Sequence, residues 1–259
     1  MKLSILLLCL LFLSVRGQRI AGGNPTDITV YPYATALLTN RGVGAYEQAC
    51  GGTILSNTAI LSAASCFYSG LTIDPASWWR ARVGSTYRNA GGSIYLIRQI
   101  NLHSNFSTTT LDNDIAVLRT TLTIAMRPGV VEPARIVGAA YTFGTNQEVW
   151  AIGWGALSGA NPVSSDQLRH VQIWTINQVT CENRYADHSF TVTSNMVCVG
   201  WLDVGVRGQC EGDAGSPLVD NGAVVGLFSW TQGCAQGWYP DINTRISPYT
   251  RWIVSTATA

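Results

Sequence analysis

Lysine is almost absent from this 259-residue sequence. Lys2 is the only one among 16 lysine and arginine residues, whereas on the order of a dozen lysines is usual at this length. Lysine loses its charge at about pH 10.4, while arginine stays protonated beyond about pH 12. The composition therefore suits a strongly alkaline medium such as a gut lumen. GC-biased codon usage is the alternative explanation.

The sequence also lacks an apolar run of about 18 residues, the length that a membrane-spanning helix needs. Its one extended apolar stretch covers residues 3–15, follows the basic Lys2 and leads into Val-Arg-Gly at residues 15–17. This arrangement predicts a secretory signal over residues 1–17 and hence a secreted, extracellular protein without a membrane span after signal removal. A signal anchor is the alternative reading.

Charge and metal-ligand spacings are sparse as well. From Ile20 onward, 13 arginines stand against 15 aspartates and glutamates, a net charge of −2 with histidine neutral. Scattered charge of this kind excludes the basic patch of a nucleic-acid-binding protein. No C-x-x-C or H-x-x-x-H spacing occurs, so the sequence predicts neither a metal site nor a cofactor.

The cysteines form an even set once the signal is set aside. Cys9 falls in the signal, and six remain: Cys50, Cys66, Cys181, Cys198, Cys210 and Cys234. An even count in a secreted chain predicts three disulfides, and spacing alone leaves fifteen connectivities open.

The remaining sequence, about 240 residues long, fits one large domain or two small packed units. Short β-branched runs between glycine, asparagine and serine predict an all-β protein, and residues 33–39, 48–64 and 168–176 alternate as strands do. Near the end, Tyr249, Trp252 and Ile253 stand at helical spacing, which predicts a C-terminal helix.

A family resemblance begins at residues 207–218, which read R-G-Q-C-E-G-D-A-G-S-P-L. The stretch resembles the G-D-S-G-G-P nucleophile loop of the trypsin/chymotrypsin family of serine proteases. Gly212, Asp213, Gly215 and Pro217 match it, but Ala214 stands in place of the nucleophilic serine. Segments such as L-R-H-V-Q-I-W-T-I-N are similar to midgut trypsins of moths and butterflies, which agrees with the alkaline composition.

Two further motifs carry the rest of the family's triad. L-S-A-A-S-C at residues 61–66 resembles L-T-A-A-H-C, with Ser65 in place of the general-base histidine. D-N-D-I-A-V-L at residues 112–118 resembles the segment with the triad aspartate, and Asp114 matches that residue. With no histidine beside it, Asp114 is expected to hydrogen-bond Ser65 and Ser229.

The resemblance implies two antiparallel six-stranded β-barrels with a C-terminal α-helix, in a domain over residues 20–259. The N-terminal barrel would cover about 20–125 and the C-terminal barrel about 126–259. Residues 18–19 would be a short propeptide. Arg19-Ile20 resembles the activation site, where a trypsin-like protease would cut so that the Ile20 α-amine pairs with Asp213.

The resemblance also implies the disulfides and the pocket. The pairs would be Cys50–Cys66, Cys181–Cys198 and Cys210–Cys234. Gly212 and Ala214 would supply the oxyanion-hole amides. In the specificity pocket, Gly208 stands where trypsin has an aspartate, Asp241 replaces a wall glycine, and Thr231 narrows the entrance.

Because Ser65 cannot act as an imidazole base and Ala214 cannot attack a carbonyl, the sequence predicts a protein that is not an enzyme. It would be a monomer that binds protease inhibitors, peptides or an active protease. The alternative is a serine-type endopeptidase with residual or unconventional activity in digestive proteolysis. Ser216 is a poor substitute nucleophile. Asn105, in the sequon N-F-S, is the one glycosylation candidate.

Overall fold

The computed structural model describes residues 22–159, 162–188 and 190–259. The predicted signal, the propeptide and the Arg19-Ile20 bond lie outside these residues. Within them, no helix has the length and apolar character needed to cross a bilayer.

The described residues form sixteen strands. In chain order they are β1 Asn24–Pro25, β2 Ala34–Thr39, β3 Glu47–Ile54, β4 Ala59–Ser62, β5 Tyr68–Ser69, β6 Thr72–Ile73, β7 Trp79–Val83, β8 Ser93–Leu102, β9 Ala116–Thr120, β10 Arg135–Ile136, β11 Glu148–Gly153, β12 Arg169–Ile176, β13 Met196–Gly200, β14 Pro217–Asp220, β15 Ala223–Trp230 and β16 Asp241–Arg245. Helical segments are few. They are α1 Gln178–Arg184, α2 Thr250–Thr258 and the short 3-10 turns Ala64–Phe67, Ala76–Trp78 and Ser247–Tyr249.

The strands close into two six-stranded antiparallel barrels. The first runs β2-β3-β4-β9-β8-β7. The second runs β12-β11-β14-β15-β16-β13 and closes through β12–β13 pairing, with β1 beside β12 and β10 parallel to β15. The predicted fold is therefore confirmed.

Burial follows the sequence pattern on the barrel walls. Strands β7 and β12 alternate between buried and partly exposed positions, as half-buried strands do. Strands β4 and β9 are buried throughout. Helix α2 buries Ile253 against the core, and the Arg119 guanidinium of β9 donates to the Ala257 carbonyl. The predicted C-terminal helix is thus present and docked on the first barrel.

The two barrels meet at the loop between Cys210 and β14. The Gly51 amide of β3 donates to the Ala214 carbonyl at 2.8 Å. From the other direction, the Ser229 hydroxyl of β15 reaches Asp114 at 2.6 Å. Bonds in both directions fix the relative position of the barrels at this seam, and the functional residues predicted from the sequence lie along it.

Candidate active site

Asp114 is fully buried at the seam and accepts hydrogen bonds on both carboxylate oxygens. Its Oδ1 accepts from the Ser65 amide at 2.7 Å, and its Oδ2 accepts from the hydroxyls of Ser65 at 2.8 Å and Ser229 at 2.6 Å. The expected bonds to Ser65 and Ser229 are present. Burial raises the pKa of Asp114, while these hydrogen bonds act to lower it. The Ser65 hydroxyl thus occupies a donor position on the carboxylate.

The three histidines pack elsewhere. His103 lies against the rings of Tyr249 and Trp252, with centroids 5.1 Å away in each case. His170 Nδ1 pairs with the Tyr31 hydroxyl at 2.8 Å, and His188 packs on Tyr185 and Tyr239. Among the described residues, none of these rings hydrogen-bonds Asp114, whose partners are Ser65 and Ser229.

The loop with Ala214 is held by a glycine that tolerates no side chain. Gly215 has φ +77°, and a Cβ there would lie 2.1 Å from Ser62 Oγ and 2.6 Å from the Gly51 carbonyl oxygen. Positive φ together with such close contacts requires glycine. Ala214 itself is partly exposed, whereas Ser216 is buried. The loop therefore presents position 214 to the cleft and turns Ser216 into the core.

Two backbone amides on this loop are free. Within the described residues, the N–H groups of Gly212 and Ala214 donate no hydrogen bond. The peptide between these two amides, Gly212–Asp213, is fixed from behind, because Gln48 Nε2 donates to the Gly212 carbonyl at 2.7 Å. Unpaired, preorganised amides of this kind stabilise a developing oxyanion. Gln48 is a contributor that the sequence motifs did not indicate.

Asp213 points away from the cleft into the second barrel and is only 1% exposed. Its Oδ1 accepts from the Gly155 amide at 2.7 Å, and its Oδ2 accepts from the Cys210 amide at 3.1 Å. Burial raises the pKa of Asp213 to about 7, against the effect of these two hydrogen bonds. In the described parts of the chain, no arginine forms an ion pair with Asp213. Ile20, its expected partner, lies outside those parts.

Asp241 fills the space that a side chain at position 208 would need. A Cβ on Gly208 would lie 2.6 Å from Asp241 Oδ2, which accepts from the Gln209 amide at 2.7 Å. Burial raises the pKa of Asp241 to about 7, hydrogen bonds from Gln209 and Thr231 lower it, and the charge of Asp213 raises it further. The carboxylate is thus brought beside Gly208 from strand β16.

A buried pair of amide side chains next to Asp241 was not predicted. Asn243 Nδ2 donates to Gln209 Oε1 at 2.8 Å, while Gln209 Nε2 and Asn243 Oδ1 have no hydrogen-bond partner within the described part of the chain. Asn243 shares the inner face of β16 with Asp241, because alternate residues of a strand face the same side. The sequence signal was weak, since Gln209 is not one of the matched positions in the stretch 207–218 and Asn243 lies in no motif.

The three expected disulfides are all formed: Cys50–Cys66, Cys181–Cys198 and Cys210–Cys234. The first ties β3 to the turn that carries Ser65, and the third ties the Asp213 loop to the segment after Thr231. Each bond closes a short loop, for which about 3 kcal/mol of stabilisation is typical. The disulfides therefore hold both halves of the cleft.

Asn105 lies exposed in a loop of the first barrel, so its side chain is accessible to modification. Its glycosylation remains a prediction. No cluster of three or more His, Cys, Asp or Glu side chains suited to a metal occurs within the described residues.

The trypsin family model matches residues 20–253, nearly the whole chain after the predicted signal. This chain belongs to the trypsin family. It is 49% identical to "Trypsin, alkaline A" of Manduca sexta over 98% of both chains. It is 48% identical to "Trypsin CFT-1" of Choristoneura fumiferana over 98% of both. It is 43% identical to "Achelase-1" of Lonomia achelous over 92% of this chain and 100% of that one.

The prediction that the chain is not an enzyme is contradicted by these relatives. The prediction rested on Ser65 and Ala214 alone. Four relatives that align with 98% of this chain, at 48–49% identity, are named as trypsins. The physical reason lies in what the cleft retains. Asp114, the free amides of Gly212 and Ala214, and the buried Asp213 are all in place.

Proposed function

We propose that this chain is a secreted digestive endopeptidase of the trypsin family that works by an unconventional and slow route, with hydroxide as the nucleophile. The observation that supports this most is the pair of unpaired amides on Gly212 and Ala214. Such donors are held in position before the reaction begins, at the place where negative charge will develop. In acyl transfer they usually supply the largest share of the catalysis. Gln48 and Gly215 keep them in place.

The proposed route balances without any protein nucleophile. Hydroxide from solvent adds to the scissile carbonyl carbon, and the resulting oxyanion accepts hydrogen bonds from Gly212 and Ala214. The C–N bond then breaks, the leaving amine takes a proton from water, and hydroxide is regenerated. Serine proteases that lack their triad keep about 10³ to 10⁴ of acceleration over water from the oxyanion hole and binding. That range is the scale expected here.

The pH dependence separates this route from that of a conventional trypsin. With an imidazole base, the rate of hydrolysis levels off above the pKa of the imidazole, which is about 6.5 in model peptides. Ser65 supplies no titratable base, so the rate should follow the hydroxide concentration, roughly tenfold per pH unit. An alkaline site of action favours this chemistry. The near absence of lysine and the names of the Manduca relatives, "Trypsin, alkaline", support such a site.

The substrate class that fits the pocket is a polypeptide with arginine or lysine before the cut bond. Gly208 offers no charge, but Asp241 brings a carboxylate beside it from the opposite strand. A buried carboxylate whose pKa is raised by desolvation gains from a cationic partner. Thr231 narrows the entrance, so shallow binding and broad preference are expected.

The same cleft accounts for the proposed partners. Polypeptide protease inhibitors and peptides would bind across it as substrates do, and an active trypsin-like protease would cut the chain after Arg19. Ile20 would then pair with Asp213, the buried carboxylate next to position 214. A monomer suffices for all of these interactions.

The test uses the purified, Arg19-cleaved chain and an arginyl amide substrate between pH 7 and 11. After subtraction of the spontaneous rate, the rate of hydrolysis should rise about tenfold per pH unit. It should persist after treatment with a sulfonyl fluoride, a reagent that blocks reactive serines. A polypeptide trypsin inhibitor that plugs the cleft should stop it. Asp241→Asn should weaken binding of the arginyl substrate.

Two results would overturn the proposal. One is loss of all activity on sulfonyl fluoride treatment, because this chain has no serine at position 214 for the reagent to acylate. The other is a rate that is the same for the folded chain and for the chain unfolded in urea, because hydrolysis would then not need the cleft.

A further inference from the structure

Two tryptophan rings border a depression of about 420 Å³ on the second barrel. Trp174 lies on β12 and Trp201 follows β13, with ring centroids 5.6 Å apart and planes inclined by 50°. Gly200 of β13 is a register partner of Trp174, so no side chain opposite Trp174 covers that ring from the β13 side; on the β11 side its partner is Glu148. Trp201 is 36% exposed. None of the active-site residues lines this depression.

Arg207 holds the two rings from one side. Its guanidinium carbon lies 4.7 Å from the centroid of Trp201 and 5.8 Å from that of Trp174. Stacked cations of this kind contribute about 0.5–1 kcal/mol at exposed sites. Arg207 does not itself line the depression. The rings are thus fixed in position, and their remaining surface faces the depression.

The rest of the lining combines polar side chains with Gly200 and the apolar Ile176 and Leu202. Among the described residues, the hydroxyls of Thr145 and Thr180 and the side-chain amide of Asn146 make no hydrogen bond. Asn177 uses its carboxamide oxygen to cap α1 at the Thr180 amide, 3.2 Å away, and keeps its NH₂ group free. Of the residues that the structure describes, no aspartate, glutamate, lysine or arginine lines the depression. Its ligand should therefore be uncharged and rich in hydrogen-bonding groups.

We propose that this depression is a binding site for a neutral saccharide. A pyranose ring has an apolar C–H face that stacks on an aromatic ring, and hydroxyls at its edge that pair with amides and hydroxyls. Trp174 and Trp201 supply the rings, and Thr145, Asn146 and Thr180 supply unpaired polar groups. The volume of about 420 Å³ lies in the range of small-ligand sites, about 300–1,000 Å³.

An extended peptide suits the site less well. Peptides that bind beside a sheet add a strand to a free edge. Here β12 is paired with β11 and β13, and β13 is paired with β12 and β16. No open edge is therefore available beside the two rings. The proposal is independent of the catalytic route, because the saccharide site shares no residue with the cleft.

The test measures binding of the glucose tetramer and the N-acetylglucosamine tetramer to the intact chain by calorimetry. At least one should bind, and Trp201→Ala should weaken it about tenfold, while Trp201→Phe should retain most of the affinity. Trp238→Ala is the matched control. Trp238 is also exposed, at 58%, and also lies under a guanidinium, that of Arg184, 3.9 Å from its centroid.

Each outcome decides the matter. No heat of binding at about 10 mM of either tetramer, with the circular dichroism of the chain unchanged, overturns the proposal. So does binding that Trp201→Ala leaves unaltered, or binding that Trp238→Ala weakens as much. Binding of a peptide, and not of a saccharide, at the same two rings would assign the depression to polypeptides and would also refute it.

Discussion

Two buried carboxylates of the cleft differ in how completely their surroundings are paired. Around Asp114, the hydroxyls of Ser65 and Ser229 and the Ser65 amide satisfy both oxygens. Around Asp241, Gln209 Nε2 and Asn243 Oδ1 have no partner in the described structure. Native interiors pair nearly all such atoms, with protein or water. The Asp114 cluster is thus complete in itself, whereas the Asp241 cluster still has capacity for a ligand or a water molecule.

The difference separates the two halves of the cleft. Ser65 donates both its amide and its hydroxyl to Asp114, so this half of the cleft has its polar groups paired. At the base of the pocket, Gly208 has no side chain, and the Asp241 carboxylate takes up the space that a side chain would need. Any side chain at position 208 would collide with that carboxylate. One half is adjusted for structure, and the other keeps polar groups directed toward binding.

The largest expected effect comes from rebuilding the triad within the Asp114 cluster. The double variant Ser65→His with Ala214→Ser should raise amide hydrolysis at pH 8 by about 10²-fold or more, because base and nucleophile act as a unit. The imidazole would take over the carboxylate oxygen that Ser65 now occupies. The rate is measured on the Arg19-cleaved chain, and its pH profile should acquire a bend near the imidazole pKa.

The two single variants are the matched controls, and each should remain within about tenfold of the unmodified chain. A single variant as active as the double would contradict the view that both functions are missing at these positions. A double variant with an unchanged, hydroxide-dependent profile would show that the Asp114 cluster does not reopen for an imidazole.

Much of this site could be predicted from the sequence because it is encoded in contiguous motifs. Asp114, Ser65 and Ala214 each lie within a stretch of six or more recognisable residues. The alternation over residues 168–176 predicted a strand, and the observed strand begins at Arg169. The helix was visible as well, although Tyr249 ends a 3-10 turn before α2 begins at Thr250.

Contacts between distant parts of the chain could not be predicted in this way. Gln209 and Asn243 are 34 residues apart, and Gln48 reaches Gly212 across 164 residues. No local periodicity encodes such pairs, since they depend on how the two barrels dock and how β16 is placed. The two-residue strands β1, β5, β6 and β10 escaped prediction for a similar reason, because a pair of residues carries no detectable alternation.

The next largest effect concerns pH and the two carboxylates with a raised pKa. Asp213 and Asp241 each have a pKa of about 7 in the fold, raised from 3.8 by burial. The folded chain then holds protons that the unfolded chain has lost, so the free energy of unfolding should fall by a few kcal/mol between about pH 4 and 7. Urea unfolding of the uncleaved chain at several pH values measures this.

Cleavage after Arg19 should reduce that fall, because the Ile20 α-amine would stabilise ionised Asp213. The pKa of the amine should itself rise, so its contribution is complete below about pH 8 and is lost as pH rises through the folded value. The control is Arg19→Gln treated with the same protease. Identical profiles for cleaved and uncleaved chains would mean that the amine and Asp213 do not pair, while Asp241 would still account for a smaller fall.

The smallest effect directly compares the two polar clusters by removing a pair of side chains from each. Ser65→Ala with Ser229→Ala leaves the buried Asp114 carboxylate without its hydroxyl donors, and at pH 9 it should lower the free energy of unfolding by about 3 kcal/mol. Gln209→Met with Asn243→Leu removes one hydrogen bond together with two unpaired atoms, so it should change stability by less than about 1 kcal/mol or increase it. Both are measured by urea unfolding of the uncleaved chain. Equal losses in the two double variants would show that the Gln209–Asn243 pair is already satisfied, by bound water, and that the base of the pocket is as complete as the Asp114 cluster.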